Sequence, residues 1–553
     1  MTDILKIAMA QINPTVGDIA GNAELVRAAR GEAAAAGADL VVFGELVLCG
    51  YPPEDLVLKS AFQDAIVAAI EALAAETADG GPGLLVTAPW RDQGLLYNAV
   101  LLLDGGEIVA VRYKHDLPNY GVFDEKRVFA AGPLPGPVNF RGVRLGVPIC
   151  EDIWTPDVCE CLVETGAELL IVPNGSPFEA GKFDVRLGHA VGRVTETDLP
   201  VMYVNQVGGQ DELVFDGGSF VVNGDCSLAL QMPTFASGLV MTEWRRVDDH
   251  WVCAEGPRTA PHEGLAAIYR AMTLGLRDYV NKNRFPGVVL GLSGGIDSAL
   301  SAAVAVDALG PDRVWCVMLP SKFSSEHSLS DAVECAELLQ CRLDKVTIEP
   351  AVAAFETMLG SLFEGRAPDI TEENIQSRAR GMALMAISNK FGYMVLTTGN
   401  KSEMSVGYAT IYGDMCGGFS VLKDVYKITA FDLAHWRNQQ TFDEALGPAG
   451  RVIPENTITK PPSAELRPDQ KDEDSLPPYE ALDDILRCLV EEEMAFDAIV
   501  ARGHEAAVVR RIEHLLYLAE YKRRQAPPGV KLTARNFGRD RRYPITNGFR
   551  DAR

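Results

Sequence analysis

The sequence lacks the cysteine patterns of zinc sites and disulfide scaffolds. Its 11 cysteines are dispersed without a C-x-x-C pair, and Cys159 and Cys161 have the wrong spacing for common zinc ligands. An odd, dispersed set is typical of reduced thiols. The stretch from Met1 to Lys6 also lacks the pattern of a signal peptide, and no apolar run is long enough to span a membrane. We therefore expect a cytoplasmic protein without a membrane partner.

Basic residues are also scarce. The chain has 51 Lys and Arg against 76 Asp and Glu, a net charge of −25, which argues against a nucleic-acid partner. Its 553 residues are too many for one ordinary core, so two or more domains are expected. A Gly/Pro-rich link at residues 254–261 separates two alternating strand and helix patterns. We predict domains at 1–257 and 258–553.

The most informative stretch runs from Gly291 to Ser298 with the sequence GLSGGIDS, between an apolar strand and an apolar helix. Glycines let the backbone approach a ligand closely, and the N–H groups at a helix start face an anion. The pattern is neither of the common G-x-x-x-x-G-K-[ST] and G-x-G-x-x-G loops. It resembles the Ser-Gly-Gly-x-Asp-Ser loop of the ATP pyrophosphatases. The resemblance implies that ATP is bound by Gly291, Leu292, Ser293, Gly294, Gly295, Ile296, Asp297 and Ser298.

Three reactive residues follow apolar strands in the first half of the chain: Glu45, Lys114 and Cys150. A base, a cation and a thiol are what acyl transfer from an amide requires. Each alone has an ordinary structural explanation, since a single cysteine is usually a small buried residue. Together, with Gly-Tyr-Pro-Pro after Glu45 and Glu-Asp after Cys150, they resemble the nitrilase superfamily. This resemblance covers residues 1–245 and implies an αββα sandwich with these three residues as its catalytic groups.

Two further strings, at residues 114–120 and 122–125, resemble the glutaminase domain of glutamine-dependent NAD synthetases. Glu125 resembles the extra glutamate that many nitrilases keep near the thiol. The alternative for Tyr120, Ser176 and Lys182 is a purely structural role, as a loop tyrosine, a turn serine and a surface lysine. The resemblance implies that glutamine is bound by Tyr120, Glu151, Ser176 and Lys182.

The second half alternates strands with helices from residue 288 to 397, which predicts a doubly wound, Rossmann-like parallel sheet of the adenine nucleotide alpha hydrolase type. Ligands of such sheets bind beyond the carboxyl ends of the strands. Asp297 and Glu403 both follow strand ends, so we predict that these carboxylates hold Mg²⁺ against the ATP phosphates. The acidic, Pro-rich stretch 454–478 predicts a mobile flap or a disordered segment.

The second half also resembles the NAD synthetases. The resemblance implies that Thr398 and Lys427 serve ATP, and that the basic pair Lys522 and Arg523 reaches the dinucleotide. At Ile411 the chain departs from the short, ammonia-dependent enzymes, which tend to carry a lysine, so that contact is not expected here. The resemblance implies that deamido-NAD is bound by Asn374, Arg378, Glu403 and Lys522.

The combined resemblance implies an ATP-dependent amidation of deamido-NAD⁺ through an adenylated intermediate, with ammonia freed from L-glutamine at Cys150 and passed on internally. The implied partners are these small molecules and a further copy of the chain, as a dimer or higher oligomer up to an octamer. Other glutamine-fed synthetases remain the alternative. Asparagine synthetases carry a cysteine directly after Met1, where this chain has Thr2, and GMP synthetases carry Gly-x-Cys-x-Gly. A tRNA-modifying ATP pyrophosphatase and a binding protein built on an inactive amidase fit less well.

Overall fold

The computed structural model describes residues 3–468, 470–474, 476–549 and 551. It divides into two units, an N-terminal unit of residues 1–263 and a C-terminal unit of residues 264–553. Within the described residues, no helix combines the length and apolarity needed to cross a membrane. The domain boundary at residue 258 stays a prediction.

The described residues of the N-terminal unit form fifteen strands and four α-helices. In chain order its strands are β1 (Ile4–Gln11), β2 (Leu40–Phe43), β3 (Gly83–Asp92), β4 (Leu95–Asp104), β5 (Glu107–Tyr113), β6 (Val138–Phe140), β7 (Val143–Gly146), β8 (Leu169–Asn174), β9 (Val201–Asn205), β10 (Val207–Gln210), β11 (Leu213–Asp216), β12 (Phe220–Val222), β13 (Leu228–Gln231), β14 (Gly238–Val247) and β15 (His250–Cys253). Its helices are α1 (Ile19–Ala35), α2 (Ser60–Glu76), α3 (Asp157–Glu164) and α4 (Lys182–Thr197).

Two sheets pack face to face in this unit, and each carries helices on its outer face. The first sheet has the strand order β15-β14-β1-β2-β3-β4-β5, and the second has the order β13-β12-β9-β8-β7-β6. The alternation of side chains along a strand explains the layers. On β1, Ile7 and Met9 pack into the core between the sheets, whereas Ala8 and Ala10 pack against α1 and α2. The predicted αββα sandwich is therefore confirmed.

The C-terminal unit is a parallel sheet with helices on both faces and a helical C-terminal part. Its strands are β16 (Val288–Gly291), β17 (Val314–Met318), β18 (Arg342–Lys345), β19 (Met394–Thr397) and β20 (Phe419–Ser420). Its helices are α5 (Gly264–Lys282), α6 (Ile296–Leu309), α7 (Glu326–Leu339), α8 (Glu349–Leu359), α9 (Ile370–Phe391), α10 (Lys401–Val406), α11 (Lys427–Gln439), α12 (Glu455–Thr459), α13 (Tyr479–Val490), α14 (Phe496–Ala501), α15 (Ala506–Leu518) and α16 (Glu520–Arg523).

The strand order β18-β17-β16-β19-β20 confirms the doubly wound sheet. The chain moves outward from β16 to β18 and then returns to the other side of β16 at β19, so the switch point lies between β16 and β19. The carboxyl ends of these two strands lead directly into the glycine loop and into Thr398. The topology therefore brings two separate predicted ATP-binding segments to one crevice.

The described part of the 454–478 segment is not a disordered stretch. It contains the short helix α12, which contacts α6 and α7, and it buries Ile458 and Leu476. Ordering this segment costs chain entropy, and its mostly polar residues bury little apolar surface to offset that cost. The buried side chains of Ile458 and Leu476 supply part of the compensation. Asp469 and Ser475 of this segment lie outside the described residues.

Candidate active sites

The first site lies around Cys150, whose backbone has an unusual conformation. The sequence places Cys150 at the end of a strand, but the ladder of β7 ends at Gly146 and Cys150 opens the 3₁₀ turn Cys150–Ile153. Its φ of 48° lies in the left-handed region that non-glycine residues rarely adopt. The turn is held by Asp152, whose carboxylate accepts the Ile149 N–H at 2.9 Å. The same carboxylate accepts the N–H groups of the two residues that follow Lys114, at 3.0 and 2.7 Å.

Glu45 and Lys114 form a fully buried ion pair beside this turn. The Lys114 Nζ lies 2.6 Å from Glu45 Oε1, and both side chains have no exposed surface. The other oxygen of Glu45 accepts the Gly175 N–H at 3.1 Å. Burial lowers the pKa of Lys114, but the charges of Glu125 and Glu45 outweigh burial and hold that pKa well above its usual value. Lys114 is therefore a permanent cation in this site.

A second carboxylate, Glu125, shares the same lysine. Its oxygens lie 2.8 and 3.0 Å from Lys114 Nζ, and one of them also accepts the Tyr51 hydroxyl at 2.8 Å. Asn98 on β4 donates to Glu45 at 2.7 Å and lies 3.5 Å from Glu125. The sequence pointed to Glu125, but it gave no role to Tyr51 or Asn98. Both are buried polar residues that fix the orientation of the two carboxylates.

The thiol of Cys150 is neutral at rest. Burial raises its pKa well above the usual value, and the Glu45 carboxylate adds to this effect, while Lys114 opposes it. A thiolate therefore forms only when a base takes the proton during the reaction. Glu45 and the thiol both interact with the backbone of Gly175, so the carboxylate lies beside the thiol and is the candidate for that base.

The buried carboxyl of Glu125 makes the stability of the N-terminal unit depend on pH. Burial raises its pKa from 4.5 to about 7. A carboxyl whose pKa is raised on folding stabilises the folded state below its unfolded pKa, and this contribution is lost as the pH rises to the folded pKa. We expect Glu125→Gln to remove this dependence. Its free energy of unfolding, relative to the wild type, should rise by about 3 kcal/mol between pH 4.5 and 8.

This prediction is checked by urea unfolding of the full chain at several pH values, scored at the transition at which glutaminase activity is lost. Glu71→Gln, on the exposed side of α2, serves as the control because it changes the same charge without touching the site. A difference between Glu125→Gln and the wild type that is constant over this pH range would contradict the assignment.

The four predicted glutamine-binding residues fall into two groups. Tyr120 donates its hydroxyl to the Glu151 carboxylate at 2.9 Å on the exposed side of the site, and the charge of Lys182 also acts on Glu151. Burial nevertheless raises the pKa of Glu151. Ser176, in contrast, is buried, and its hydroxyl accepts the Arg186 Nε at 3.0 Å. Its side chain therefore already has a partner within the protein.

The second site is built on the glycine loop between β16 and α6. Gly294 has a φ of 82°, and a Cβ at this position would lie only 2.1 Å from the Ser328 carbonyl oxygen, so only glycine fits. The hydroxyls of Ser293 and Ser298 lie 3.0 Å apart and brace the loop across its turn. The N-terminus of α6 follows at Ile296, so backbone N–H groups and the positive end of the helix dipole meet in one crevice.

The two predicted metal-binding carboxylates share one lysine. Lys427 Nζ lies 2.5 Å from Asp297 Oδ2 and 3.1 Å from Glu403 Oε1. Asn400, which the sequence reading did not single out, donates to the other oxygen of Asp297 at 2.9 Å and caps α10 at Glu403. Burial raises the pKa of Glu403 to about 8, and Lys427 opposes that rise. Among the described residues, no cluster of three or more His, Cys, Asp or Glu side chains forms a metal cage.

Asp297, Glu403 and Lys427 line a cavity of about 690 Å³, which is large enough for a nucleotide and a second substrate. Thr398 and all loop residues predicted to bind ATP except Gly294 line it, and so do Asn374, Arg378 and Lys522. Lys522 also donates to the Gly407 and Ala409 carbonyls at 2.8 and 2.6 Å.

The prediction for Arg523 is wrong. Arg523 is buried, and its guanidinium donates to the Ser405 carbonyl at 2.6 Å and to Glu520 at 2.8 Å. Neighbouring residues on a helix point about 100° apart, so Lys522 and Arg523 do not share a direction. Only Lys522 of this basic pair lines the cavity.

Comparison with known proteins assigns a different family model to each half of the chain. The carbon-nitrogen hydrolase family model matches residues 6–248, and the NAD synthase family model matches residues 268–526. The glutamine-dependent NAD(+) synthetase of Rhodobacter capsulatus is 53% identical over 551 residues and covers 100% of both chains. The protein of the same name from Xylella fastidiosa strain 9a5c is 46% identical over 558 residues, also with 100% of both chains covered.

The chain belongs to the glutamine-dependent NAD(+) synthetase family. A solved structure of the Acinetobacter baumannii enzyme of this family in complex with ADP matches it with a TM-score of 0.78 and 40% identity over 99% of both chains. An NAD synthetase of this family is an enzyme with a nitrilase-type glutaminase unit and an NAD synthase unit in one chain. The two sites described above lie one in each unit.

Proposed function

We propose that the chain converts deamido-NAD⁺, ATP and L-glutamine to NAD⁺, AMP, pyrophosphate and glutamate. The observation that carries this proposal is the pairing of two different sites in one chain. One holds a buried thiol with a base and a cation, and the other holds a glycine loop in a large cavity. Neither site alone accounts for an amidation, because one frees ammonia and the other activates a carboxylate.

In the N-terminal unit, Cys150 attacks the glutamine side-chain amide. Glu45 takes the thiol proton and transfers it to the leaving ammonia, and Lys114 stabilises the oxyanion of the tetrahedral intermediate. The result is a thioester of glutamate, which water hydrolyses. Glu151 binds the α-amino group of glutamine, with Tyr120 holding that carboxylate in place and Lys182 close to the α-carboxylate. The Ser176 hydroxyl accepts from Arg186 and so keeps its own proton to donate to glutamine.

In the C-terminal unit, the carboxylate of deamido-NAD⁺ attacks the α-phosphorus of ATP. The bond from this phosphorus to the bridging oxygen breaks, and its electrons leave with pyrophosphate. The acyl adenylate carries a good leaving group that a free carboxylate lacks, so ammonia then displaces AMP. The glycine loop and Thr398 position ATP, while Asn374, Arg378 and Lys522, which line the same cavity, hold deamido-NAD⁺.

We assign Mg²⁺ to Asp297 and Glu403. Both are oxygen donors on the cavity, and Mg²⁺ typically takes one or two carboxylates together with substrate phosphates. When bound, the metal neutralises charge on the phosphates and orients them. Lys427 keeps the two carboxylates close together and opposes the rise in the pKa of Glu403. We expect EDTA to stop ammonium-driven NAD⁺ formation and added Mg²⁺ to restore it, while glutamine hydrolysis proceeds throughout. Equal loss of both activities in EDTA would contradict the assignment.

We also propose that the enzyme is a cytoplasmic homo-oligomer. Helices α8 and α9 carry large apolar side chains with high exposure, including Met358 at 69%, Ile370 at 67% and Met382 at 71%. All cysteines are free, as expected for a reducing compartment. Sedimentation velocity of the chain and of its Met358→Lys, Met382→Lys variant tests the assembly. A wild-type monomer at micromolar concentration would overturn it.

The function is tested by product analysis. The purified chain is incubated with deamido-NAD⁺, ATP, Mg²⁺ and glutamine, and then with each of xanthosine monophosphate and aspartate in place of deamido-NAD⁺. We expect NAD⁺ and AMP in equal amounts from the first mixture, and neither GMP nor asparagine from the others. AMP formation with xanthosine monophosphate or aspartate, but not with deamido-NAD⁺, would assign the chain to a different glutamine-dependent synthetase.

A further inference from the structure

Lys460 provides a positive charge beside the glycine loop that the reaction described above does not use. It directly follows α12, lines the cavity, and places its Nζ 2.7 Å from Asp331 and 3.0 Å from the Ser328 hydroxyl. Its side chain is 22% exposed, so solvent and ligands have access to the ammonium. The sequence reading gave this residue no role.

Two contacts tie Lys460 to the loop that receives the phosphates. Thr457, on the same short helix, donates its hydroxyl to the Gly294 carbonyl at 3.2 Å. The backbone of Ser328, whose hydroxyl accepts from Lys460, packs so closely on Gly294 that no Cβ fits between them. The ammonium therefore lies next to the turn at which the N-terminus of α6 faces the cavity.

The other cations of the cavity have different partners. Lys427 is paired with two carboxylates, and Lys522 is bonded to two backbone carbonyls. The guanidinium of Arg380 donates to the Leu319 carbonyl at 3.0 Å, and that of Arg378 donates to the Ile411 carbonyl at 3.2 Å. Lys460 pairs with a single carboxylate, and Asn456 also donates to that same Asp331 oxygen at 2.7 Å. Asp331 therefore keeps a hydrogen-bond partner when the long, flexible lysine side chain turns toward a ligand.

We propose that Lys460 is a further catalytic residue of the synthetase site, whose ammonium contacts the departing pyrophosphate. As the α-phosphorus bond breaks, negative charge accumulates on the bridging oxygen, and the ammonium of the lysine stabilises that charge. The inference rests on the proposed function, because it takes the adenylation step as given. It also gives the 454–478 segment a chemical role in that step.

The test uses deamido-NAD⁺-dependent exchange of labelled pyrophosphate into ATP, which reads adenylation and its reversal without glutamine or ammonia. We expect Lys460→Met to slow this exchange by about 100-fold, and Lys460→Arg to retain most of it. Binding of deamido-NAD⁺ should change by less than about threefold, since the proposal places Lys460 at the pyrophosphate and not at that substrate. The control is Lys471→Met, an exposed lysine of the same segment, which should match the wild type. An exchange rate of Lys460→Met within about twofold of the wild type would overturn the proposal.

A second measurement uses the wild-type chain, so it does not depend on the variant's folding. Reductive methylation is followed by peptide mass spectrometry with and without magnesium pyrophosphate. We expect pyrophosphate to slow the labelling of Lys460 at least about fivefold and to leave Lys471 unchanged. Unchanged labelling of Lys460 at saturating pyrophosphate would reject the contact. A wild type that shows protection but no exchange would instead show that the proposed function is wrong and the pyrophosphate contact correct.

Discussion

Replacing Cys150 by alanine should reduce glutamine-driven NAD⁺ synthesis at least about 10⁴-fold, because no other group can form the thioester. Ammonium-driven synthesis should stay within about threefold of the wild type, since the C-terminal unit has its own site. The measurement is NAD⁺ formation with glutamine or with ammonium chloride as the only nitrogen source.

The matched control is Cys161→Ala on α3, which removes a partly buried thiol away from the Glu45–Lys114 pair. Its two rates should both match the wild type. Loss of both activities in Cys150→Ala, with an unchanged melting temperature, would count against separate sites. Retained glutamine-driven synthesis would eliminate Cys150 as the nucleophile.

Lys427→Met should impair the synthetase site and leave the glutaminase site active, which is the opposite of the effect expected for Cys150→Ala. Without the ammonium, Asp297 and Glu403 repel each other in a buried position, and the pKa of Glu403, already raised to about 8, rises further. A protonated or displaced carboxylate no longer binds Mg²⁺ well. We expect NAD⁺ formation from ammonium to fall about 100- to 1,000-fold, with glutamine hydrolysis retained.

Lys390→Met is the control for this variant, because Lys390 is an exposed lysine in the last turn of α9. Its synthesis rate should equal that of the wild type. If Lys427→Met kept more than a third of the wild-type rate, the shared ion pair would be structural only, and the account of the metal site would fail.

Short-range features of both sites are predictable from the sequence. The loop at residues 291–298 encodes its own conformation, because its glycines fix the turn and its apolar flanks fix the strand and the helix. The parallel sheet follows from the alternation of strands and helices, and the switch point follows from the strand order. Glu45, Lys114 and Cys150 were assigned from short motifs that resemble those of the nitrilase superfamily.

Contacts between distant residues were not predictable in the same way. Asn98 meets Glu45 because β4 and β2 lie in the same sheet, which local patterns do not specify. Lys427 contacts Asp297 across 130 residues of sequence. The apolar run before Cys150 looked like a strand, but Pro148 has no N–H to donate, and the ladder stops at Gly146.

The resemblance to the glutamine-dependent NAD synthetases predicts that nitrogen freed at Cys150 reaches the acyl adenylate without mixing with ammonia in solution, and this prediction links the two sites. The direct test is synthesis from amide-¹⁵N-glutamine in the presence of a large excess of unlabelled ammonium near neutral pH, with the mass of NAD⁺ as the readout. The account predicts that the ¹⁵N fraction of NAD⁺ stays far above the ¹⁵N fraction of the ammonium in solution. A ¹⁵N fraction in NAD⁺ that equals the ¹⁵N fraction of the ammonium in solution would contradict this prediction.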